Sequence, residues 1–192
     1  MNTHYHGDHS GGNPKMQAQN VQVVASERAR RKMVETNQPG APNVTLEDSV
    51  RLYLGGKRVE VHHFGRAHTD GDVVAYFPDH RVVAMGDMFT VGDGLPPLVD
   101  YPGGGSTREW PRSIEGALAL DFETAIPGHG KPATKGDLAK YRDSLTTLGR
   151  RVIEMQSKKA SRAEIEKELL SRFGFQDFHI QLALDGMLVE LR

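Results

Sequence analysis

The sequence predicts an α/β protein with one main domain, on the strength of two patterns that follow one another along its 192 residues. The stretch 44–131 is β-rich, because short runs of β-branched and aromatic residues alternate with glycine and proline turns. The stretch 135–192 is helical, because its apolar residues recur at intervals of three and four. We therefore expect a domain over residues 1–134 and a C-terminal helical extension over residues 135–192 that packs on it.

The composition argues against several classes of function. Lys and Arg number 24 against 25 Asp and Glu, a net charge of −1, which argues against sequence-blind binding of nucleic acid. The chain has no cysteine, so disulfides, thiolate metal sites and cysteine nucleophiles are excluded. No apolar run is long enough to cross a bilayer and no leader-like segment precedes the first motif, so we expect a cytoplasmic protein with no membrane partner.

The individual elements follow from local signals. Val21–Val24 is a candidate strand, and Ser26 is the expected N-cap of a helix that runs to about Thr36. Gly55-Gly56 and Pro78-Asp79-His80 each separate two strand-like runs, so we predict two hairpins. A long loop over 87–107 follows, then a helix over 113–120 and a short strand over 124–126. Ser161 with Glu164 predicts a capping box at the start of a further helix.

The residues that can carry chemistry begin at position 4. His4, His6, Asp8 and His9 fall close together around the turn-forming Gly7. In an extended segment His4 and His6 point the same way, because side chains alternate with period two, so they can share one cation. Asp8 and His9 follow the turn and can face a second cation nearby. Imidazole and carboxylate ligands together suit zinc, and also iron or manganese.

Three further segments complete a pattern. Gly65-Arg66-Ala67-His68-Thr69 contains Gly-x-x-His-Thr, Gly86-Asp87 ends a candidate strand, and Pro127-Gly128-His129-Gly130 forms a loop. With the N-terminal His-x-His-x-Asp-His segment, these patterns resemble, in the same order, the signature of the metallo-β-lactamase superfamily of binuclear metallohydrolases. The resemblance covers residues 2–130.

This resemblance implies an αββα sandwich with two metal ions at the loop edge between two sheets. Two zinc ions per chain are the expected cofactor, with iron or manganese as alternatives. The implied ligands are His4, His6 and His68 on one ion, Asp8, His9 and His129 on the other, and Asp87 as the carboxylate that bridges them.

The implied activity is hydrolysis of a small-molecule substrate. A hydroxide shared by two cations would be the nucleophile, since cations lower the pKa of bound water. Asp8 is the expected catalytic carboxylate, which would orient the nucleophile and pass a proton to the leaving group. Because the chain lacks the cysteine ligand of the classical β-lactamase pattern, we expect an ester, thioester, lactone or related bond as the target. Redox chemistry at iron is disfavoured, because His6 stands where the family's iron reductases have glutamate.

One departure from the family concerns the N-terminus. The family has several strands before its His-x-His-x-Asp-His segment, which here begins at residue 4. We therefore expect an N-terminally truncated sandwich with an incomplete first sheet. Three explanations are open: the chain is a fragment or its start is wrongly assigned, a second copy covers the open face in a homodimer, or the metal site is degraded although its ligands persist. The alternative function is accordingly a weakly active or inactive metal-binding remnant that needs a partner chain.

Three other polar residues near these patterns are not among the implied ligands. Asp70 and Asp72 flank the turn after His68, where a hydrogen bond to a ligand histidine and turn formation are both open. His179, near the start of the last helix, is expected at the surface.

Overall fold

The computed structural model describes residues 1–92 and 96–192 of the chain. A 3-10 turn over Pro78–His80 lies between two of the strands. The helices and strands of the described residues are, in chain order, α1 (Gly7–Ser10), α2 (Asn13–Gln17), β1 (Val24–Ser26), α3 (Glu27–Glu35), β2 (Val44–Leu46), β3 (Ser49–Leu54), β4 (Lys57–His62), β5 (Val74–Phe77), β6 (Val82–Thr90), α4 (Trp110–Leu118), β7 (Thr124–His129), β8 (Ala133–Thr134), α5 (Lys135–Ser157), α6 (Arg162–Phe173) and α7 (Asp177–Glu190). The α/β class is confirmed.

The larger sheet has six strands in the order β3-β4-β5-β6-β7-β8. Both predicted hairpins are present as antiparallel pairs, β3 with β4 around Gly55-Gly56 and β5 with β6 around the 3-10 turn. β6 and β7 are parallel neighbours, and Thr90 near the end of one pairs with His129 at the end of the other. Because the carboxyl ends of parallel strands meet at one edge, β6 and β7 bring two of the four sequence patterns together there.

The smaller sheet consists of β1 and β2, which pair in parallel. The N-terminal residues run between the two sheets: the Asn2 amide donates to the Val24 carbonyl (2.9 Å), and the Val73 amide donates to the Thr3 carbonyl (2.8 Å). These two hydrogen bonds fix the backbone immediately before His4, the first candidate ligand.

The main apolar core lies between the larger sheet and the helices. Trp110 is its largest buried side chain, and the indole Nε1–H donates to the Met88 carbonyl at 3.0 Å, so burial leaves no polar atom of this ring unpaired. Helices α5, α6 and α7 contribute to the same core with Leu138, Leu145, Leu148, Val152, Ile165, Leu169, Ala183, Leu184 and Met187. Of these C-terminal helices, α5 packs on strands β7 and β8, and α6 packs against α5 and α7. In the residues that the structure describes, no helix has both the length and the hydropathy needed to cross a membrane.

Three of the local predictions were wrong as follows. β1 begins at Val24 and not at Val21, because the Val23 carbonyl accepts from the Asn43 and Val44 amides before regular pairing starts. The predicted 87–107 loop begins later, because β6 continues to Thr90 along β7; residues 93–95 of that loop lie outside the described residues. His179 is buried rather than exposed, because its Nδ1 accepts the Gln176 amide and closes the N-terminal cap of α7.

Candidate metal centre

The N-terminal segment reaches the site as a bend followed by a short helix, and not as the extended segment that the sequence predicts. Thr3–Tyr5 is bent, and α1 begins at Gly7. The buried Asn2 and Asn13 amides hold this shape: each donates to the other's oxygen, at 3.0 and 2.8 Å, and Asn2 also donates to the His9 carbonyl at 2.9 Å. His4 and His6 nevertheless converge, since the bend turns both rings to the same side.

Three imidazoles form the first group of candidate ligands, which we call the three-histidine site: His4, His6 and His68. Nε2 of His4 lies 3.1 Å from Nδ1 of His6, and Nε2 of His68 lies 2.9 Å from the same atom. His4 and His68 are almost fully buried. Three ring nitrogens converge on one small volume, which is an arrangement that can hold a metal ion.

The far side of the His6 ring contacts a carboxylate that the sequence did not reveal. Nε2 of His6 lies 3.0 Å from Oδ2 of Asp100, and the same oxygen accepts the Tyr5 hydroxyl at 2.5 Å. Burial alone would raise the pKa of Asp100, but hydrogen bonds from His6, Tyr5 and the Gly103 amide outweigh it and lower the pKa to about 2. Asp100 is therefore ionised and accepts a hydrogen bond from Nε2–H, so the Nδ1 lone pair of His6 is free to bind a cation.

His68 and His4 are oriented in the same manner. Nδ1 of His68 lies 2.5 Å from the Leu98 carbonyl, which only accepts, so this nitrogen carries the proton and Nε2 is free. Nδ1 of His4 lies 3.2 Å from the Thr3 hydroxyl. Each ring thus has a partner on the side away from the other imidazoles.

The second group of candidate ligands consists of Asp8, His9 and His129. Oδ2 of Asp8 lies 3.3 Å from Nε2 of His9 and 3.2 Å from Nε2 of His129. Asp8 and His129 are the exposed members, with side chains 58% and 45% accessible. This group therefore faces solvent, whereas the three-histidine site is enclosed.

Asp87 lies between the two groups. Oδ2 of Asp87 is 4.0 and 3.8 Å from the Nε2 atoms of His4 and His68, and 3.4 Å from Nε2 of His129. Oδ1 of Asp87 is 3.1 Å from Nε2 of His9. One carboxylate is thus within reach of ligands from both groups, as a bridging ligand must be.

Two buried polar atoms of this cluster have no hydrogen-bond partner among the described residues: Nε2 of His9 and Oδ1 of Asp87. The two atoms lie 3.1 Å apart, but their geometry is not that of a hydrogen bond. A buried polar atom without a partner is costly, by about 1–3 kcal/mol. A cation that accepts both lone pairs removes this cost, so the donor set fits metal ions of the zinc type.

The electrostatics of the cluster suit a cation. Burial lowers the pKa of His4 and of His68, which keeps both imidazoles neutral and able to bind metal. For Asp87 burial alone would raise the pKa, but the His9 imidazole 3.1 Å away and the neighbouring imidazoles of His4 and His68 hold it well below its usual range. The nearby Asp87 carboxylate in turn raises the pKa of His9. The centre is therefore an ionised carboxylate surrounded by imidazoles.

Two glycines allow Asp87 to occupy this place. Gly86 adopts φ +54°, and a Cβ there would lie 2.5 Å from the Thr3 side chain. A Cβ at Gly128 would lie 1.9 Å from Oδ1 of Asp87 and 2.7 Å from the Gly86 carbonyl carbon. The pairing of β6 with β7 shifts register on both sides of Gly86, an irregularity that redirects the side chain of Asp87.

The turn after His68 is stabilised by Asp72. The Asp72 carboxylate accepts from the Thr69 amide at 2.9 Å and from the Thr69 hydroxyl at 2.7 Å. Complete burial raises the pKa of Asp72 to about 7. Of the two roles that the sequence left open, Asp72 has the turn-forming one, and it holds the backbone beside His68.

Comparison with known proteins places this centre in a family. Residues 1–129 match the sequence profile of the metallo-beta-lactamase superfamily. The chain belongs to this superfamily. The resemblance seen in the sequence is thereby confirmed, and so is the metallo-β-lactamase fold class.

The curated proteins similar to this chain include metallo-beta-lactamases and hydroxyacylglutathione hydrolases. A metallo-beta-lactamase type 2 from Bacillus cereus is 25% identical over 154 residues, which cover 74% of this chain and 56% of the relative. A hydroxyacylglutathione hydrolase from Methylococcus capsulatus is 32% identical over 127 residues, which cover 66% of this chain and 45% of the relative. The solved structure of a metallo-beta-lactamase from Pontibacter korlensis is similar with a TM-score of 0.66 and 27% identity, covering 76% of this chain and 67% of that one. The chain spans about half the length of the curated relatives it matches.

Proposed function

We propose that the chain is a metal-dependent hydrolase that holds two zinc ions and cleaves an ester, thioester, lactone or related bond in a small molecule. The observation that carries the proposal is the placement of Asp87 between two groups of ligand atoms, with two buried lone pairs unpaired. His4, His6 and His68 would hold one ion, Asp8, His9 and His129 the other, and Asp87 would contact both.

Each part of the chain has a distinct task in this proposal. The ions, when bound, would supply Lewis acidity toward the substrate carbonyl and a water of lowered pKa. The Asp87 carboxylate would reduce the repulsion between two nearby cations. Asp8 is accessible at the solvent side, so it would hold and move a proton between the nucleophilic water and the leaving group. The buried three-histidine site would exclude water from one side of the reacting bond.

A thioester is the favoured member of this substrate class. The hydroxyacylglutathione hydrolases among the relatives are 32–37% identical over stretches that cover 41–66% of this chain, and the type 2 metallo-beta-lactamases are 25–26% identical over stretches that cover 66–74%. The chain also has a carboxylate and no cysteine among its candidate ligands.

The test is metal-dependent turnover of p-nitrophenyl acetate and of an S-(hydroxyacyl)glutathione thioester. We expect turnover that a chelator abolishes and zinc restores, and a loss of at least about 100-fold in Asp87→Ala, because removing a bridging ligand disrupts both ions. Asp121→Ala is the matched control, since Asp121 is exposed and pairs only with Arg81 among the described residues. Turnover that is insensitive to the chelator would contradict the proposal. Full zinc occupancy without turnover of any ester class would favour the metal-binding remnant that needs a partner chain.

The proposal also covers the binding partners and the location of the chain. We propose a small-molecule substrate, no nucleic acid, a cytoplasmic location and a second copy of the chain over the two-stranded sheet of β1 and β2. Light scattering at several concentrations tests the second copy: a mass of twice 21.2 kDa is expected, and a monomer at all concentrations would contradict it.

A further inference from the structure

Residues 98–108 form a segment that contacts the three-histidine site on one side and the last helix on the other. We propose that Glu190, in the final turn of α7, is a positioning residue for the three-histidine site and acts through this segment. The inference rests on the proposed metal binding. The family match ends at residue 129, so α7 lies outside the matched stretch.

The inner side of the segment fixes two of the three imidazoles. Asp100 accepts from Nε2 of His6, and the Leu98 carbonyl accepts from Nδ1 of His68. The Asp100 amide also donates to the His68 carbonyl at 2.9 Å, which ties the segment to the backbone of this histidine. These contacts determine which nitrogen of each ring carries the proton, and therefore which lone pair is available to a metal ion.

The outer side of the segment is held by the Glu190 carboxylate. One oxygen accepts the Tyr101 hydroxyl at 2.8 Å and the Arg108 amide at 3.2 Å, and the other accepts the Ser106 hydroxyl at 2.5 Å. The Arg108 guanidinium donates to the Glu190 carbonyl. Three residues spread over the segment thus bind one carboxylate of α7.

The Tyr101 ring adds a packing contact to these hydrogen bonds. A Cβ at Gly186 would lie 2.2 Å from this ring, so the ring lies directly against the backbone of α7. Tyr101 is next to Asp100 in sequence, so the contact with α7 is transmitted over a single peptide unit to the carboxylate that orients His6.

The segment needs such anchors because of its composition. Gly103, Gly104 and Gly105 are consecutive, and glycine has more backbone freedom than any other residue. Arg66 restrains this run by donating to the Gly104 and Gly105 carbonyls at 2.7 and 3.0 Å. Glu190 restrains the residues on either side of the run. Without Glu190, the segment gains conformations in which Asp100 is displaced from His6.

The test compares Glu190→Ala with Asp185→Ala, a control on the same helix. Asp185 is exposed and pairs with Arg162, away from the segment. In the metal-free protein, nitrogen NMR of the ring should show His6 with its proton on Nε2 in the wild type and the control, and a mixture of tautomers in Glu190→Ala. A competition titration with a chromophoric chelator measures zinc affinity. We expect the affinity to fall about tenfold in Glu190→Ala, which is the low end of the range for groups that orient metal ligands. The affinity should stay unchanged in the control.

Unchanged His6 tautomers in a folded Glu190→Ala protein would overturn the inference. The tautomer measurement requires no metal, so it tests Glu190 even if the wild type fails to bind zinc, an outcome that would instead contradict the proposed function. If Glu190→Ala does not fold, Tyr101→Phe replaces it, because that variant keeps the ring on Gly186 and loses only the hydroxyl contacts. We expect a smaller shift of the same sign in Tyr101→Phe, and no shift would overturn the inference.

Discussion

Nε2 of His6 lies 3.0 Å from Oδ2 of Asp100, although the two residues are 94 positions apart in the sequence. An ionised carboxylate only accepts hydrogen bonds, so it places the imidazole proton on Nε2 and leaves the Nδ1 lone pair toward His4 and His68. The proposed metal affinity of the three-histidine site therefore depends on a carboxylate that is not itself a candidate ligand.

Asp100→Ala is expected to weaken zinc binding about 10–100-fold, the range typical of losing a group that orients a metal-binding histidine. Chelator competition measures the change, and Asp121→Ala provides a surface carboxylate control. An Asp100→Ala protein that is folded and binds zinc as tightly as the wild type would show that His6 needs no orienting partner.

Gly128→Ala is expected to lose zinc while the chain remains largely folded. The new methyl group would lie 1.9 Å from Oδ1 of Asp87 and 2.7 Å from backbone, so the carboxylate must move out of its central position. Gly136→Ala is the control, because a Cβ there meets only the Thr134 hydroxyl at 3.6 Å. Elemental analysis after dialysis compares the two variants; equal zinc content would contradict the central placement of Asp87.

Asp8→Ala is expected to lower the zinc content from two ions per chain to one. Asp8 contacts His9 and His129, whereas the three-histidine site has its own donors and is enclosed. The measurement is zinc stoichiometry together with turnover of the thioester. Loss of both ions in Asp8→Ala would show that the two groups do not bind independently.

The raised pKa of Asp72 predicts that the free energy of unfolding of the metal-free protein depends on pH. Burial raises the pKa of this carboxyl from 3.8 to about 7 in the folded state. At pH values between these two, the Asp72 carboxyl is ionised in the unfolded chain and protonated in the folded chain. The stability that Asp72 contributes is therefore complete below about pH 4 and is lost as the pH rises to about 7. The slope is at most about 1.4 kcal/mol per pH unit.

Asp72→Asn isolates this contribution, because asparagine does not titrate. The free energy of unfolding of Asp72→Asn relative to the wild type should increase from pH 4 to pH 7 in urea titrations of metal-free protein. A difference that is constant over this range would mean that Asp72 is ionised in the folded chain.

The sequence predicted the parts of this protein that depend on local signals. Both hairpins follow from their turn residues, and the Ser26 cap and the Ser161 capping box begin helices where expected. Six candidate ligands are brought together in two groups around the seventh, Asp87, as the ordered patterns imply; their role as ligands stays a prediction.

The sequence did not reveal contacts that depend on long-range folding. Asp100 stands in a loop with no pattern around it, and its proximity to His6 results from the path of the chain after β6. The bend at Thr3–Tyr5 depends on the paired Asn2 and Asn13 amides, which are 11 positions apart in the sequence. His179 was assigned to the surface because its capping role appears only once the start of α7 is known.

Anomalous X-ray scattering at the zinc absorption edge, from crystals grown with zinc, tests the central claim most directly. The account predicts two peaks on either side of the Asp87 carboxylate, one among His4, His6 and His68 and the other among Asp8, His9 and His129. No peak at Asp87, or a single peak distant from it, would contradict the account.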